Sequence, residues 1–271
     1  MWFLYGFIGL VCIGFILYYF DDVRYTYYEN KLKQSTSKSI ITQDSLQHLP
    51  KQIQTYLQLV GVVGKEIPKG MKLRISGQMK PNKKVDFADA KAKQTSLFSP
   101  YSRYFLMVLK MRGVKVKGFH IFHHAKAIMK IKILGIFRVV NGKGKKMNQA
   151  ETVTVFNDIC LFAPHALIEA NVVYKEVDDY ILDASFVNEG IEVSARLVFD
   201  DEGKLINFIS NDRYFSQDGE EQISAPWATP VHEYKEQNGF YLPYKGDAIW
   251  QFEDEDFTYF KLTLEDVKYI S

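Results

Sequence analysis

Cysteine is scarce in this chain: two in 271 residues, Cys12 and Cys160. One lies in an apolar run and the other far downstream, so no disulfide framework is expected, and a four-cysteine zinc site is excluded. Signatures of common chemistry are missing too. There is no G-x-S-x-G elbow, no G-x-x-x-x-G-K-[ST] loop, no G-x-G-x-x-G after a strand and no H-E-x-x-H. Gly142-Lys143-Gly144-Lys145 is a basic loop without a phosphate-loop frame. Internal repeats and low-complexity tracts are also lacking. Charge is absent from residues 1–20, MWFLYGFIGLVCIGFILYYF.

A helix of those residues would be roughly 30 Å long, the thickness of a bilayer core. No Lys or Arg precedes the run, and it ends in Tyr18, Tyr19 and Phe20, which suit a signal-peptide cleavage site poorly. The expectation is an uncleaved transmembrane helix over 1–20, with Trp2, Tyr5, Tyr18 and Tyr19 at its interfaces. Arg24, Lys31, Lys33 and Lys38 follow it, so the flanking charges lean towards a cytoplasmic domain on a single-pass membrane protein. Residues 21–48 read as a juxtamembrane connector, with QSTSKS (34–39) as a loop, and 49–271 as one β-rich domain.

The net charge of +2 conceals a split. Residues 65–146 hold 21 Lys or Arg against three acids, a balance of +18. Residues 147–271 hold 8 against 25, a balance of −17. Either a basic face meets anionic lipid or another polyanion, or basic strands pair with acidic ones and the fields cancel. The basic half has no nucleic-acid motif, so no nucleic-acid partner is expected.

Aromatic residues are 15% of the chain, which suits strands. A short amphipathic helix fits 50–60, with Ile53, Tyr56, Leu57 and Val60 at helical spacing and Gly61 ending it. Period-two patterns mark strands at 71–80, 103–112, 114–124 and 126–134, with Gly77 as a candidate bulge. After a loop at 141–146, residues 147–164 read as a helix closed by Pro164. Strands resume at 171–177, 180–187, 190–199, 204–215, 230–237, 240–251 and 257–269. Asp200-Asp201-Glu202-Gly203 and Gln237-Asn238-Gly239 serve as turns. Short connections between sequential strands predict an α+β domain, mainly an antiparallel, strongly curved, half-barrel-like β-sheet with a few helices.

Several residues are candidates for a site. His120 and His124 share a strand face and either bind a metal with a third ligand or decorate a basic strand; no metal site is expected. Asn148, Gln149 and Glu151 open the 147–164 helix. Asn148 and Glu151 form a capping-box-like pair, or Glu151 sits on a polar pocket floor. Arg213 lies late in a strand and needs an anion: Glu151, Glu233, or a ligand carboxylate or phosphate. Trp227, Tyr234, Tyr241 and Trp250 are either core or a ligand platform. Cys160, buried in its helix, is a poor nucleophile.

Gly142…Met147-Asn148-Gln149-Ala150-Glu151, Phe162-Ala163-Pro164, Asp212-Arg213-Tyr214, Pro226-Trp227 and Leu242-Pro243…Gly246…Ala248…Trp250 resemble a bacterial family of membrane-associated proteins known only as a domain of unknown function. The likeness runs from about 48 to 270 and departs at 81–100, where that family shows a tryptophan. It brings no activity. The element order also resembles the lipoprotein-carrier fold, which implies a curved sheet around an apolar cavity.

The expected function is therefore non-catalytic binding of a lipid or other amphipathic ligand beside a bilayer. Asn148, Gln149, Glu151, Arg213, Trp227, Tyr234 and Trp250 are the ligand-binding candidates, and no cofactor is expected. The alternatives are a hydrolase-like enzyme using Glu151 and Arg213, and a structural or interaction module of a cell-envelope complex.

Overall fold

A computed structural model describes residues 19–20, 22–27, 39–216 and 223–270. Alternating apolar and polar residues drive most of the chain into strands. The strands are β1 (Gly70–Met79), β2 (Ala88–Phe98), β3 (Tyr101–Met111), β4 (Val114–His123), β5 (Lys126–Ile133), β6 (Phe137–Lys143), β7 (Val172–Glu176), β8 (Ile181–Asn188), β9 (Ile191–Phe199) and β10 (Leu205–Ser210). After them come the short β11 (Tyr214–Phe215), β12 (Ile223–Ser224) and β13 (Trp227–Ala228), then β14 (Val231–Gln237), β15 (Phe240–Trp250) and β16 (Phe257–Ile270). Two α-helices stand among them, α1 (Lys51–Val60) and α2 (Lys145–Phe162).

Fourteen strands form one antiparallel, curled sheet in the order β6-β5-β4-β3-β2-β1-β16-β15-β13-β10-β9-β8-β7, with β14 on β15. It has two wings, β1–β6 and β7–β10, joined through β16, β15 and β13. The hairpins are closed as their turn residues dictate: Asn238 and Gly239 take φ of +51° and +81°, the left-handed pair of a tight turn. Gly77 lies in register, and the bulge against β16 falls at Arg74/Ile75 instead. A Cβ at Gly77 would collide with the Lys261 carbonyl, so this glycine serves a close backbone approach.

Helix α1 buries Ile53, Tyr56, Leu57 and Val60 and ends at Gly61 in the left-handed region. Helix α2 has no amphipathic face, because every residue from Ala150 to Phe162 is buried. It begins at Lys145, with Gly144 at its cap and no side-chain cap bond. The expected Asn148–Glu151 capping box is therefore absent. Asn148 lies inside the first turn, and its Oδ1 accepts from the Ala127 amide at 2.8 Å, tying the helix to β5.

The expected spanning helix is corrected. Residues 1–18 lie outside the described residues, and among those described no helix is long and apolar enough to cross a membrane. The helical residues 22–27 lie on the outer face of the sheet. Buried Tyr25 joins a small cluster of Tyr104, Leu106, Phe119 and Ile121, and its hydroxyl meets Thr95 Oγ1 at 2.7 Å. Asp22 receives Lys117 at 2.7 Å, and Lys117 also sits over the Tyr19 ring, which was expected at a membrane interface. The single-pass reading and the membrane side drawn from it fall together. Of the 34–39 loop, 34–38 lie outside the described residues.

The charge split is spatial. Strands β1–β6 pair consecutively with one another and meet the acidic half along the β1–β16 seam, where Arg74 pairs with Asp266 at 3.2 Å, and at helix α2. The alternative in which basic strands pair broadly with acidic ones does not hold.

Candidate functional site

Between the concave face of β1–β6, helix α2 and strands β15–β16 lies a cavity of about 450 Å³. Alternation puts Phe105, Met107, Leu109 and Met111 of β3 on this face. Helix α2 presents Met147, Glu151, Thr154, Asp158 and Leu161 to it, a stripe at helical spacing. Five of the seven methionines, Met79, Met107, Met111, Met129 and Met147, line the space. Thioether chains are flexible and polarizable, so such a wall adapts to irregular apolar shapes.

A buried charge network stands at the helix side of the cavity. Arg103 of β3, only 7% exposed, donates from Nε to Asp158 Oδ2 at 2.9 Å and from Nη1 to Glu151 Oε2 at 3.2 Å. Gln94 Nε2 donates to Asp158 Oδ2 at 2.7 Å. His120 Nδ1 lies 3.2 Å from Glu151 Oε1; an ionised carboxylate only accepts, so Nδ1 carries the proton. Asn157 Nδ2 donates to Thr229 Oγ1 at 2.7 Å, and the hydroxyls of Thr152 and Thr154 return to backbone carbonyls one turn back. These bonds account for the burial of so many polar residues on one helix.

The two carboxylates respond differently. Burial pushes Glu151 upward, but Arg103, then His120, then Arg213 outweigh it and hold the carboxyl down at about 2. Burial also raises Asp158; Arg103 and Gln94 only partly oppose it, and Glu151 adds to the rise. Glu151 faces several cationic or donor groups, whereas Asp158 faces one cation. Burial disfavours the charge on Arg103, yet Asp158 and Glu151 more than restore it, and its pKa rises.

Arg213 lies between β10 and β11, in neither strand, although one continuous strand over 204–215 was expected there. Its guanidinium carbon is 4.0 Å from the Trp227 ring centroid and 5.6 Å from that of Trp250. Its Nε is buried without a hydrogen-bond partner. Gln94 Oε1 is likewise buried and unpartnered.

The cavity thus gathers Glu151, Arg213, Trp227 and Trp250 from the sequence candidates. Asn148 anchors α2 to β5, and Gln149 ties α2 to the bend, donating to Asp212 at 3.3 Å. Tyr234 lies away from the cavity, its hydroxyl donating to the Leu205 carbonyl at 2.8 Å. Arg103, Asp158 and Gln94 escaped the sequence reading. The signal was present in the first two: a charge inside each of the apolar runs RYFLMVL and FNDICLF.

The three histidines diverge. His120 faces Glu151, His123 meets Ser102 Oγ at 2.7 Å, and His124 lies 3.4 Å from Glu189. Among the described residues no group of three or more His, Cys, Asp and Glu side chains could hold a metal ion. Cys160 is fully buried and burial raises its thiol pKa, which keeps it protonated.

A curled antiparallel sheet closed by a buried helix around a cavity defines the class. The chain belongs to a family of unknown function, DUF6544, whose sequence profile matches residues 39–262. No curated protein matches it in sequence. Among solved structures it is similar to a DUF1329 family protein from Desulfovibrio piger, at 10% identity and a TM-score of 0.42 over 80% of this chain and 91% of that one. It is also similar to a LolA superfamily protein from Nitrosomonas europaea, at 8% identity and a TM-score of 0.35 over 85% and 94%. Both likenesses are remote, and the functional reading rests on the cavity.

Proposed function

We propose that this domain binds an amphipathic molecule without converting it, taking the apolar part into the cavity beneath β1–β6. The observation that carries the reading is a space of about 450 Å³ walled mainly by methionine, aliphatic and aromatic side chains. That volume falls within the ~300–1,000 Å³ of small-molecule sites. A module with a purely structural role has no need of such a space, since interiors otherwise pack to few voids larger than a water.

The hydrolase alternative is weaker. Glu151 is held ionised at about 2 and already accepts from Arg103 and His120. A general base works best with a pKa near the operating pH, so this carboxylate suits structure and charge placement better than proton abstraction.

Organic extraction of the purified protein followed by mass spectrometry tests the proposal, together with uptake of a neutral solvatochromic dye such as Nile red. A co-extracted amphiphile, and dye emission shifted to the blue and displaced by it, are expected. Absence of both would overturn the reading.

A further inference from the structure

We infer that Arg213, held on Trp227, is the receptor for an oxyanionic headgroup of the bound molecule, a carboxylate or a phosphate. This rests on the cavity reading above and assigns the chemical class of its ligand.

Arg213 lines the cavity and is half-buried, with its guanidinium on the Trp227 face and Trp250 beyond. The two rings flank the guanidinium and offer its N–H groups no in-plane acceptor. The buried Nε–H is left without one, an unfavourable state that an incoming acceptor would relieve. The carboxylates in the neighbourhood are engaged elsewhere. Glu151 takes Arg103 and His120, and Asp158 takes Arg103 and Gln94. Asp212 accepts from the Ser194 amide at 2.6 Å and from Ser194 Oγ at 2.8 Å. Asp247 lies 3.0 Å from His232. Glu151 feels the charge of Arg213, yet among the described residues Arg213 has no ion-pair partner within 4 Å.

A planar fork with its face occupied and its edge open is suited to two parallel N–H···O bonds from one oxyanion. The ligand that completes the site has such a group at one end and an apolar chain at the other, which lies along the methionines. Lysine could supply the charge here but not the stacked, two-pronged geometry.

Calorimetric titration with three single-chain probes of equal length tests the assignment: dodecanoate, dodecyl phosphate and dodecanol. The wild-type protein should bind one or both anions at least about tenfold more tightly than the alcohol, the increment of a charge-assisted pair. Whichever anion binds more tightly separates the carboxylate from the phosphate source. Arg213→Gln should lose that preference, its affinity for the anions falling to that for dodecanol, and its binding of dodecanol at all reports that the cavity is folded. Arg213→Lys should retain part of the preference, and it serves as the test should Arg213→Gln fail to fold. Equal binding of all three probes by the wild type, or an anion preference unchanged in either variant, overturns the assignment and leaves the cavity reading standing. Failure of all three to bind sinks both.

Discussion

On one side of helix α2, the space under β7–β10 is filled by rings. Phe156 stacks on Phe186 at 5.1 Å and meets Phe208 edge-on at 5.4 Å, and all three are fully buried. On its other side the same helix faces β1–β6 across methionines, a charge network and a cavity, and no residue of β7–β10 reaches that cavity. In their wing rigid, fully buried rings pack against one another, whereas flexible thioethers line a space they leave open. The wings differ in charge as well: no acid lies between Asp89 and Glu151. The anions that balance Arg103 come from α2, which divides the wings. One helix thus serves both as the core of a filled wing and as the polar wall of a hollow one.

The largest effect expected comes from breaking the link across the hollow wing. Arg103→Ala leaves Glu151 and Asp158 buried without their cation. Equilibrium urea unfolding should show a loss of about 3–5 kcal/mol, the cost of stranding one side of a buried ion pair. A loss below 1 kcal/mol would mean that the network is not built as described.

A somewhat smaller effect sharpens the electrostatics. Glu151 has its folded pKa depressed to about 2 from 4.5. Its contribution is therefore present above the unfolded value and is lost as pH falls from about 4.5 to 2. At 1.36 kcal/mol per unit this amounts to roughly 3 kcal/mol. Asp158, raised by burial, acts in the opposite sense: its contribution is full below the unfolded value and is lost as pH rises through the folded one. Subtracting the stability profile of Glu151→Gln from that of the wild type isolates the first group. The difference should shrink as acid is added across that window, and a pH-independent difference would contradict the assignment.

Strands β8 and β9 of the filled wing were legible because they alternate strictly, with buried residues at every second position. Helix α1 was legible from its apolar spacing and Gly61. Strand β2 escaped because small and polar side chains, Ala90, Ala92, Gln94 and Ser96, fill its inner positions and carry no apolar alternation. Strand β6 escaped because it is an edge strand with no buried residue. The start of α2 was misplaced by two residues, at 147 instead of 145, since Gly144 and two lysines give no cap signal while Asn148 gives a false one. In the site, single residues were readable as chemistry but not as pairs. Arg213 and Glu151 announced themselves as charges needing partners, and only the topology, which lays β3 and α2 face to face, reveals that Arg103 is the partner of Glu151.

The contrast between a hollow and a filled wing is tested most directly by filling the hollow one. Val116 of β4 lines the cavity and is half-buried. With dye uptake and unfolding measured on one preparation of Val116→Trp, the account predicts that uptake is lost while stability stays within about 1 kcal/mol of the wild type, well short of the ~1–3 kcal/mol that overpacking costs in a close-packed core. Undiminished uptake in that variant would contradict it.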